Sequence, residues 1–150
     1  APPGETWASI NIKSSRSVVS AHPQFVDLVD DHGLMFAVEI VDLDRDGRLD
    51  ILVTNHQKTT DPIDGRVLGL EPPKSGDLFE DPWTTHILMD GIRPSRAPPG
   101  QPSNRAAPGV ANTFQAPPFS DRTNTSRPWI AVSGDEASKA WVLKPSMSEP

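Results

Sequence analysis

The stretch Asp42-Leu43-Asp44-Arg45-Asp46-Gly47-Arg48-Leu49-Asp50 gathers four carboxylates around one glycine, at positions 1, 3, 5 and 9 of the run. Carboxylates at this density repel one another unless a cation lies between them. Calcium is bound by six to eight oxygens at about 2.3–2.6 Å, from carboxylates, backbone carbonyls and water. We therefore predict a calcium site. Its side-chain ligands are expected to be Asp42, Asp44, Asp46 and Asp50, with Arg48 supplying its backbone carbonyl.

An acidic hairpin turn is the alternative interpretation of this run, because Asp46-Gly47 is a common two-residue turn signal between strands. Gly47 suits both interpretations, since a residue without Cβ adopts positive φ at little steric cost. A simple hairpin needs only one Asp-Gly pair, whereas here the aspartates are spaced along the whole run. The spacing favours the metal site.

The segments that flank the run are typical of strands. Residues 36–41 and 51–54 are short and rich in β-branched side chains. An EF-hand instead places its loop between helices and ends it with a bidentate Glu at the twelfth position, which here is Val53. We therefore expect the predicted calcium loop to join two strands.

Residues 41–55, Val-Asp-Leu-Asp-Arg-Asp-Gly-Arg-Leu-Asp-Ile-Leu-Val-Thr-Asn, resemble the FG-GAP or VCBS repeat family. These repeats form the blades of integrin-like β-propellers, and their signature is a D-x-D-x-D-G-x-x-D loop followed by an apolar strand. Residues 65–73 resemble the third strand of such a blade and residues 83–88 its outermost strand. The resemblance implies one complete antiparallel four-stranded blade over residues 35–90.

The remainder of the chain is interpreted around that blade, within a single β domain of residues 1–150. Residues 1–34 are predicted to hold the outer strand and loop of a preceding blade, and residues 91–108 a proline-rich connector. Residues 109–150 are predicted to form a partial second blade with strands at 109–114, 128–135 and 139–143. Only Asp121 stands between the first two of these strands, so we expect no calcium there.

Composition supports an all-β fold and excludes several classes of function. The chain of 150 residues has 17 prolines and 10 glycines, which disfavour long helices. A net charge of -6 and a pI near 5.1 argue against a nucleic-acid binder with a basic surface. No apolar run approaches the roughly 20 residues that cross a bilayer, so we expect no membrane insertion. Cysteine is absent, which excludes disulfides and thiol nucleophiles within these residues.

The predicted strands amount to about two blades, whereas propellers typically have four to eight. Three explanations are open. The chain is a fragment of a longer propeller, or it contributes its blades to a ring by self-association, or it is a small independent β fold. An isolated two-blade monomer is the least favoured of these, because its exposed strand edges could pair with other chains.

Few other residues are candidates for chemistry. The four histidines lack metal-ligand spacing, and no catalytic residue is assigned. Glu39 interrupts an apolar strand and is a candidate for a central channel or for an outward-facing position. Asn124 opens an N-glycosylation sequon, which indicates a secreted, extracellular protein. The side chains that we expect to contact a ligand are His56, Trp129 and Trp141.

The resemblance implies a calcium-stabilised module that recognises a protein or carbohydrate ligand, lectin-like and not catalytic. The alternative is part of a sugar-converting lyase, because the calcium-type loop, residues 65–67 and Trp83 are also similar to the propeller domain of fungal aldos-2-ulose dehydratase. No catalytic residue can be transferred from that enzyme.

Overall fold

The structure is a computed structural model that describes residues 27–29, 32–58, 60–96, 99, 105–115 and 126–145. The prediction of an all-β fold is confirmed, since among the described residues the one helical element is a single 3₁₀ turn, Asp135–Ala137. The strands are β1 (Met35–Val41), β2 (Asp50–Asn55), β3 (Gln57–Lys58), β4 (Gly65–Glu71), β5 (Thr84–Ile92), β6 (Ala106–Ala107), β7 (Ala111–Phe114), β8 (Trp129–Ser133) and β9 (Ala140–Leu143).

The first sheet, called the four-stranded sheet below, has the strand order β1-β2-β4-β5 and is antiparallel throughout. Its strands lie where the sequence predicts them, with small differences at the ends. β4 ends at Glu71, before Pro72 and Pro73, because proline has no N–H to donate to a strand ladder. β5 begins at Thr84 and continues to Ile92, beyond the predicted end at residue 88.

The second sheet, called the three-stranded sheet, has the order β7-β8-β9 and is also antiparallel. All three strands lie within their predicted segments. The predicted turn between β8 and β9 contains the 3₁₀ turn, and Ser138 follows it in the left-handed conformation with φ 55°. A two-stranded ribbon was not predicted: β3 pairs with β6, which lies inside the expected connector.

The two larger sheets stack face to face and share one core. Alternation of side chains along a strand places every second residue on this inner face. Leu52 and Val67 of the four-stranded sheet pack there with Ile130 and Val132 of the three-stranded sheet, and Trp141 lies beside them. A second, smaller cluster of Val53, Leu68 and Leu70 lies on the opposite face of the four-stranded sheet.

Two of the predicted segments fall partly outside the described residues. The predicted outer strand of a preceding blade falls in residues 1–34, of which 27–29 and 32–34 are described and contain no strand. The connection between β7 and β8 is described only at residue 115 and at residues 126–128. Within the part of the chain that is described, no helix is long and apolar enough to cross a membrane.

Candidate metal centre

The carboxylate loop, residues 42–50, joins β1 to β2 at one end of the four-stranded sheet. Val41 and Asp50 are register partners, so the two ends of the loop lie side by side. The loop reverses the chain through two left-handed residues, Arg45 with φ 68° and Gly47 with φ 90°. A side chain at Gly47 would meet no neighbouring atom, so glycine is required there by its backbone conformation alone.

Backbone N–H groups fix the carboxylates of this loop. Asp42 accepts hydrogen bonds from Arg45 N at 2.7 Å and from Gly47 N at 3.1 Å. Asp44 accepts one from Asp46 N at 3.0 Å. These are the local side-chain to backbone bonds that aspartate favours in turns. A carboxylate has about four acceptor positions, so each of these side chains keeps capacity for a cation.

Three of the predicted ligands converge on one point. One carboxylate oxygen from each of Asp42, Asp44 and Asp50 lies within 4.8 Å of the other two. Oxygens bound to one calcium ion at about 2.3–2.6 Å can be at most about 5 Å apart. The spacing therefore fits a common cation, and the donors are all oxygen, which is the ligand type that calcium prefers.

Asp50 is the buried member of this group, with 4% of its surface exposed. Burial is the main cause that raises the pKa of its carboxyl, and the negative charges of Asp44, Asp46 and Asp42 raise it further. The hydrogen bond from Leu43 N, at 2.8 Å, acts in the opposite direction. A divalent cation among these carboxylates would reverse that repulsion and favour the ionised form.

Asp46 is placed differently from the other predicted ligands. Its Oδ2 accepts a hydrogen bond from Arg48 Nε at 2.7 Å, and its Oδ1 accepts one from Arg48 N at 2.8 Å. These bonds lower the pKa of the Asp46 carboxyl. The structure thus pairs Asp46 with Arg48, and the participation of Asp46 and of the Arg48 carbonyl in metal binding stays a prediction.

Arg48 also connects the loop to the end of β4, the third strand in the order of its sheet. Its guanidinium donates to Glu71 Oε1 at 3.0 Å and to the Pro72 carbonyl at 2.9 Å. Glu71 Oε2 lies 3.1 Å from His86 Nε2, and this contact, followed by Arg48, lowers the pKa of Glu71. Sequence reasoning missed Glu71. The pairing of β2 with β4 would have indicated it: Ile51 and Leu70 are register partners, so the next residue of β4, Glu71, lies beside Asp50.

A cleft of about 600 Å³ opens between the two sheets beside the carboxylate loop. Its polar lining residues are Asp44, Asp50, Glu71, His86, Arg127 and Lys144. Arg127 Nε donates to the Asp44 carbonyl at 3.3 Å, and Arg45 Nε donates to the Ser126 carbonyl at 3.3 Å. These contacts join the loop to the start of β8, so the loop forms one wall of the cleft. Its volume lies within the usual range of ligand pockets, about 300–1,000 Å³.

The other predicted site residues lie away from the loop. His56 is at the opposite end of the four-stranded sheet, where its Nδ1 lies 2.7 Å from the Pro108 carbonyl and its ring stacks on Phe36 at 4.4 Å. Glu39 neither faces outward nor stands free, since it accepts hydrogen bonds from Thr113 N at 2.7 Å and Thr113 Oγ1 at 2.8 Å.

The two candidate tryptophans occupy opposite faces of the three-stranded sheet. Trp141 is half-buried against the core between the sheets. Trp129 lies on the other face, 6.1 Å from the Phe114 ring, with Lys144 Nζ 5.8 Å above it. Trp129 is therefore the better placed of the two for stacking on a ligand. The sequon residue Asn124 lies outside the described residues.

In comparisons with protein-family models, with characterised proteins and with solved structures, no match to this chain was found.

Proposed function

We propose that this chain is a calcium-binding β-propeller repeat module that recognises a protein or carbohydrate ligand and does not catalyse a reaction. The observation that carries the proposal is the convergence of Asp42, Asp44 and Asp50 within 4.8 Å. A propeller origin is supported by two antiparallel sheets that stack face to face, with the carboxylate loop between the first two strands of one of them.

Calcium is favoured over other metals by the ligand set. Zinc sites use sulfur and nitrogen donors in tetrahedral arrangements, whereas this group has carboxylates only. Magnesium requires near-ideal octahedral geometry at about 2.0–2.1 Å, while calcium tolerates irregular loops. The exposed loop suits the weak affinities of extracellular calcium modules, in agreement with the secreted location that we propose from the Asn124 sequon.

Recognition is proposed to take place at the end of the sheets that carries the loop. The cleft there combines carboxylates on one wall with Arg127 and Lys144 on the other, and it contains apolar surface from Leu43 and Leu143. Pockets that combine apolar walls with a few placed polar groups are typical of ligand sites. Calcium would act by neutralising the aspartates and fixing the wall that they form.

Thermal unfolding tests the metal assignment. We expect 5 mM Ca²⁺ to raise Tm relative to EDTA, and Mg²⁺ to raise it less. With a Kd of roughly 10⁻⁴ to 10⁻³ M, 5 mM is about 5 to 50 times Kd, and ligand linkage gives about 1.1–2.3 kcal/mol. Asp44→Asn should abolish the calcium effect, whereas Asp64→Asn, a carboxylate outside the loop that pairs with Arg93 at 2.5 Å, should keep it. Equal Tm values in Ca²⁺ and EDTA for the unaltered protein would contradict calcium binding.

A glycan array probed in Ca²⁺ and again in EDTA tests recognition of carbohydrate, and we expect binding that chelation removes. The alternative function, part of a sugar-converting lyase, is favoured by one observation: His86 and Glu71 form a hydrogen-bonded pair on the wall of the cleft. If the protein converts an aldos-2-ulose, if His86→Gln loses that activity, and if no glycan on the array is bound, the function is catalysis and not recognition.

A further inference from the structure

The edge strands of the two stacked sheets differ in how far they are closed to further pairing. An edge strand presents unpaired backbone N–H and C=O groups, and proteins commonly blunt such edges with bulges or cover them. Within the described part of the chain, the edges of the two larger sheets are β1, β5, β7 and β9. An edge that is both regular and uncovered is a place where another strand can add.

Three of these four edges are irregular or occupied. β1 and β5 each pair with a shift of register, between Met35 and Ala37 in β1 and opposite Val67 in β5. Bulges of this kind bend a strand and interrupt its ladder. The edge of β7 is blocked by Glu39, whose carboxylate accepts a hydrogen bond from Thr113 N at 2.7 Å.

The remaining edge, β9, is regular. It pairs with β8 residue by residue without a shift of register, and among the described residues no other segment pairs with it. In the four-stranded sheet the corresponding position, next to the third strand in order, is filled by β5. The three-stranded sheet is therefore one strand short on its β9 side.

The missing strand leaves a gap between β9 and β5. The cleft beside the carboxylate loop is lined by His86 and Leu88 of β5 and by Leu143 of β9. A second cavity, of about 420 Å³, is lined by Met89 of β5 and by Trp141 of β9. The two cavities follow β9 along its length, and Leu88 is 38% exposed beside them. A further strand, about 4.8 Å from β9, would cover this surface.

Cations stand at both ends of this gap. Lys139, just before β9, lines the second cavity together with Arg93, whose Nε is paired with Asp64, and no carboxylate is among the described residues that line that cavity. Lys144, just after β9, lines the cleft together with Arg127. Within the described ranges neither Lys139 nor Lys144 forms an ion pair. Both lysines are therefore available to carboxylates of a ligand.

The carboxylates that line the cleft have other partners. Asp44 and Asp50 are proposed calcium ligands, and Glu71 is paired with Arg48 and His86. With calcium bound, the charge that remains for a ligand along β9 is positive. An acidic ligand is therefore favoured over a basic one.

We propose that β9 is a docking edge for an extended acidic segment of a partner protein, which adds to the three-stranded sheet as an antiparallel fourth strand. In strand addition, main-chain hydrogen bonds give affinity and side-chain contacts give specificity. Here the specificity comes from carboxylates that pair with Lys139 and Lys144. The proposal rests on the proposed function in taking a protein as the ligand, and it states the form in which that protein is bound.

Fluorescence anisotropy of a labelled peptide, titrated with the full chain in Ca²⁺, tests this docking. The probe Glu-Val-Thr-Val-Thr-Glu places strand-forming residues between two carboxylates, with the same separation as Lys139 and Lys144. We expect saturable binding with a Kd below about 1 mM, and no binding of Lys-Val-Thr-Val-Thr-Lys. No binding of the acidic peptide would overturn the proposal and would indicate that another segment of the chain or a second copy covers β9.

Methylation of the peptide backbone separates strand addition from a contact between charges alone. Alternate residues of a strand direct their N–H groups to the same neighbour. N-methylation of both valines and N-methylation of both threonines therefore block opposite edges of the peptide. One of the two methylated peptides should lose binding and the other should keep it. Equal affinities of the two would overturn the proposal.

Charge reversal at the two ends of β9 tests the ion pairs. Lys139→Glu and Lys144→Glu should each weaken peptide binding about three- to tenfold. Lys74→Glu is the matched control, because Lys74 is exposed, its replacement makes the same change in net charge, and it lines neither cavity. The control should bind as the unaltered chain does. An equal loss in Lys74→Glu would overturn the proposal, since binding would then follow net charge alone.

Calcium distinguishes failure of this proposal from failure of the calcium site. If Ca²⁺ raises Tm but the acidic peptide does not bind, the docking edge is wrong and the calcium site stands. If Tm and peptide affinity are each the same in Ca²⁺ and in EDTA, and the peptide binds, the calcium site is wrong and the docking edge stands.

Discussion

The two sheets of this protein have the same order and direction in their first three strands, yet they differ in how the first two strands are joined. In the four-stranded sheet the connection is the carboxylate loop, and three of its aspartates converge. In the three-stranded sheet it is residues 115–128, which contain the single carboxylate Asp121. Strand alternation is enough to build the stack in both cases. The carboxylate loop is therefore not required to join the first two strands of an antiparallel sheet of this order.

The largest expected effect tests whether the two sheets depend on each other. Leu52 is 1% exposed in the core that the sheets share. Leu52→Ala should cost about 2–5 kcal/mol of unfolding free energy, as large-to-small changes in cores do. Ile130→Ala, from the other sheet, should cost a similar amount. Urea denaturation, followed by both tryptophan fluorescence and circular dichroism, measures the unfolding free energy of each variant.

Val142→Ala is the control for these core variants, because it removes two methyl groups from a position that is 58% exposed and should change stability by no more than about 0.5 kcal/mol. If the two sheets shared no core, Leu52→Ala would split the transition into two steps. A single transition that coincides for both probes is the expected result.

The next effect separates the two connections by their response to metal. Because the proposed calcium ligands all lie in the carboxylate loop, Ca²⁺ should protect residues 42–50 from limited proteolysis and leave cleavage within residues 115–125 unchanged. The stabilisation available is up to about 2.3 kcal/mol at 5 mM Ca²⁺ and a Kd of about 10⁻⁴ M. Mass spectrometry of the fragments in Ca²⁺ and in EDTA gives the measurement. Equal protection of both connections would show that calcium acts elsewhere.

A smaller effect is expected at the turn of the loop. Gly47 has φ 90° and Gly76 has φ 85°, and an added Cβ would meet no atom at either position. Gly47→Ala and Gly76→Ala should therefore each cost about 1–2 kcal/mol, from backbone strain alone. Only Gly47→Ala should also weaken the calcium-dependent rise in Tm. Calcium effects of the same size in both variants would mean that the loop conformation does not matter for binding.

The smallest effect concerns an ion pair at the other end of the four-stranded sheet. Arg66 donates to Asp90 at 2.9 Å and lowers the pKa of its carboxyl below the ordinary 3.8. A carboxyl whose pKa is lower in the folded than in the unfolded protein stabilises the fold at pH values above its unfolded-state pKa. This stability is lost as the pH falls through the folded-state pKa. The carboxyl is half-exposed, so Asp90→Asn should cost less than about 1 kcal/mol at pH 7. The difference should vanish at acidic pH, in a chemical denaturation series from pH 7 to pH 2.

The sequence predicts those parts of the fold whose signal is local. β1, β2 and the loop between them follow from β-branched runs on either side of an Asp-Gly turn. The pairing of β3 with β6 could not be predicted in this way, because two short segments far apart in the chain have no shared period. The continuation of β5 to Ile92 was missed for a related reason, since Asp90-Gly91 indicates a turn and only pairing with β4 keeps those residues in the sheet.

The candidate metal site also depends on contacts between distant residues, which the sequence does not show. Sequence spacing predicts equal roles for the four aspartates, but Asp46 is held by Arg48, which in turn is held by Glu71. That arrangement depends on where β4 ends relative to β2, which is a tertiary fact. Trp129 and Trp141 are equivalent candidates in the sequence, and only the stacking of the sheets places Trp141 against the core.

The most direct test is isothermal titration of Ca²⁺ into the metal-stripped chain. We predict one site per chain, with a Kd of roughly 10⁻⁴ to 10⁻³ M as in extracellular calcium modules, and loss of the signal in Asp50→Asn but not in Asp64→Asn. No heat of binding in the unaltered chain, or an equal signal in Asp50→Asn, would contradict it.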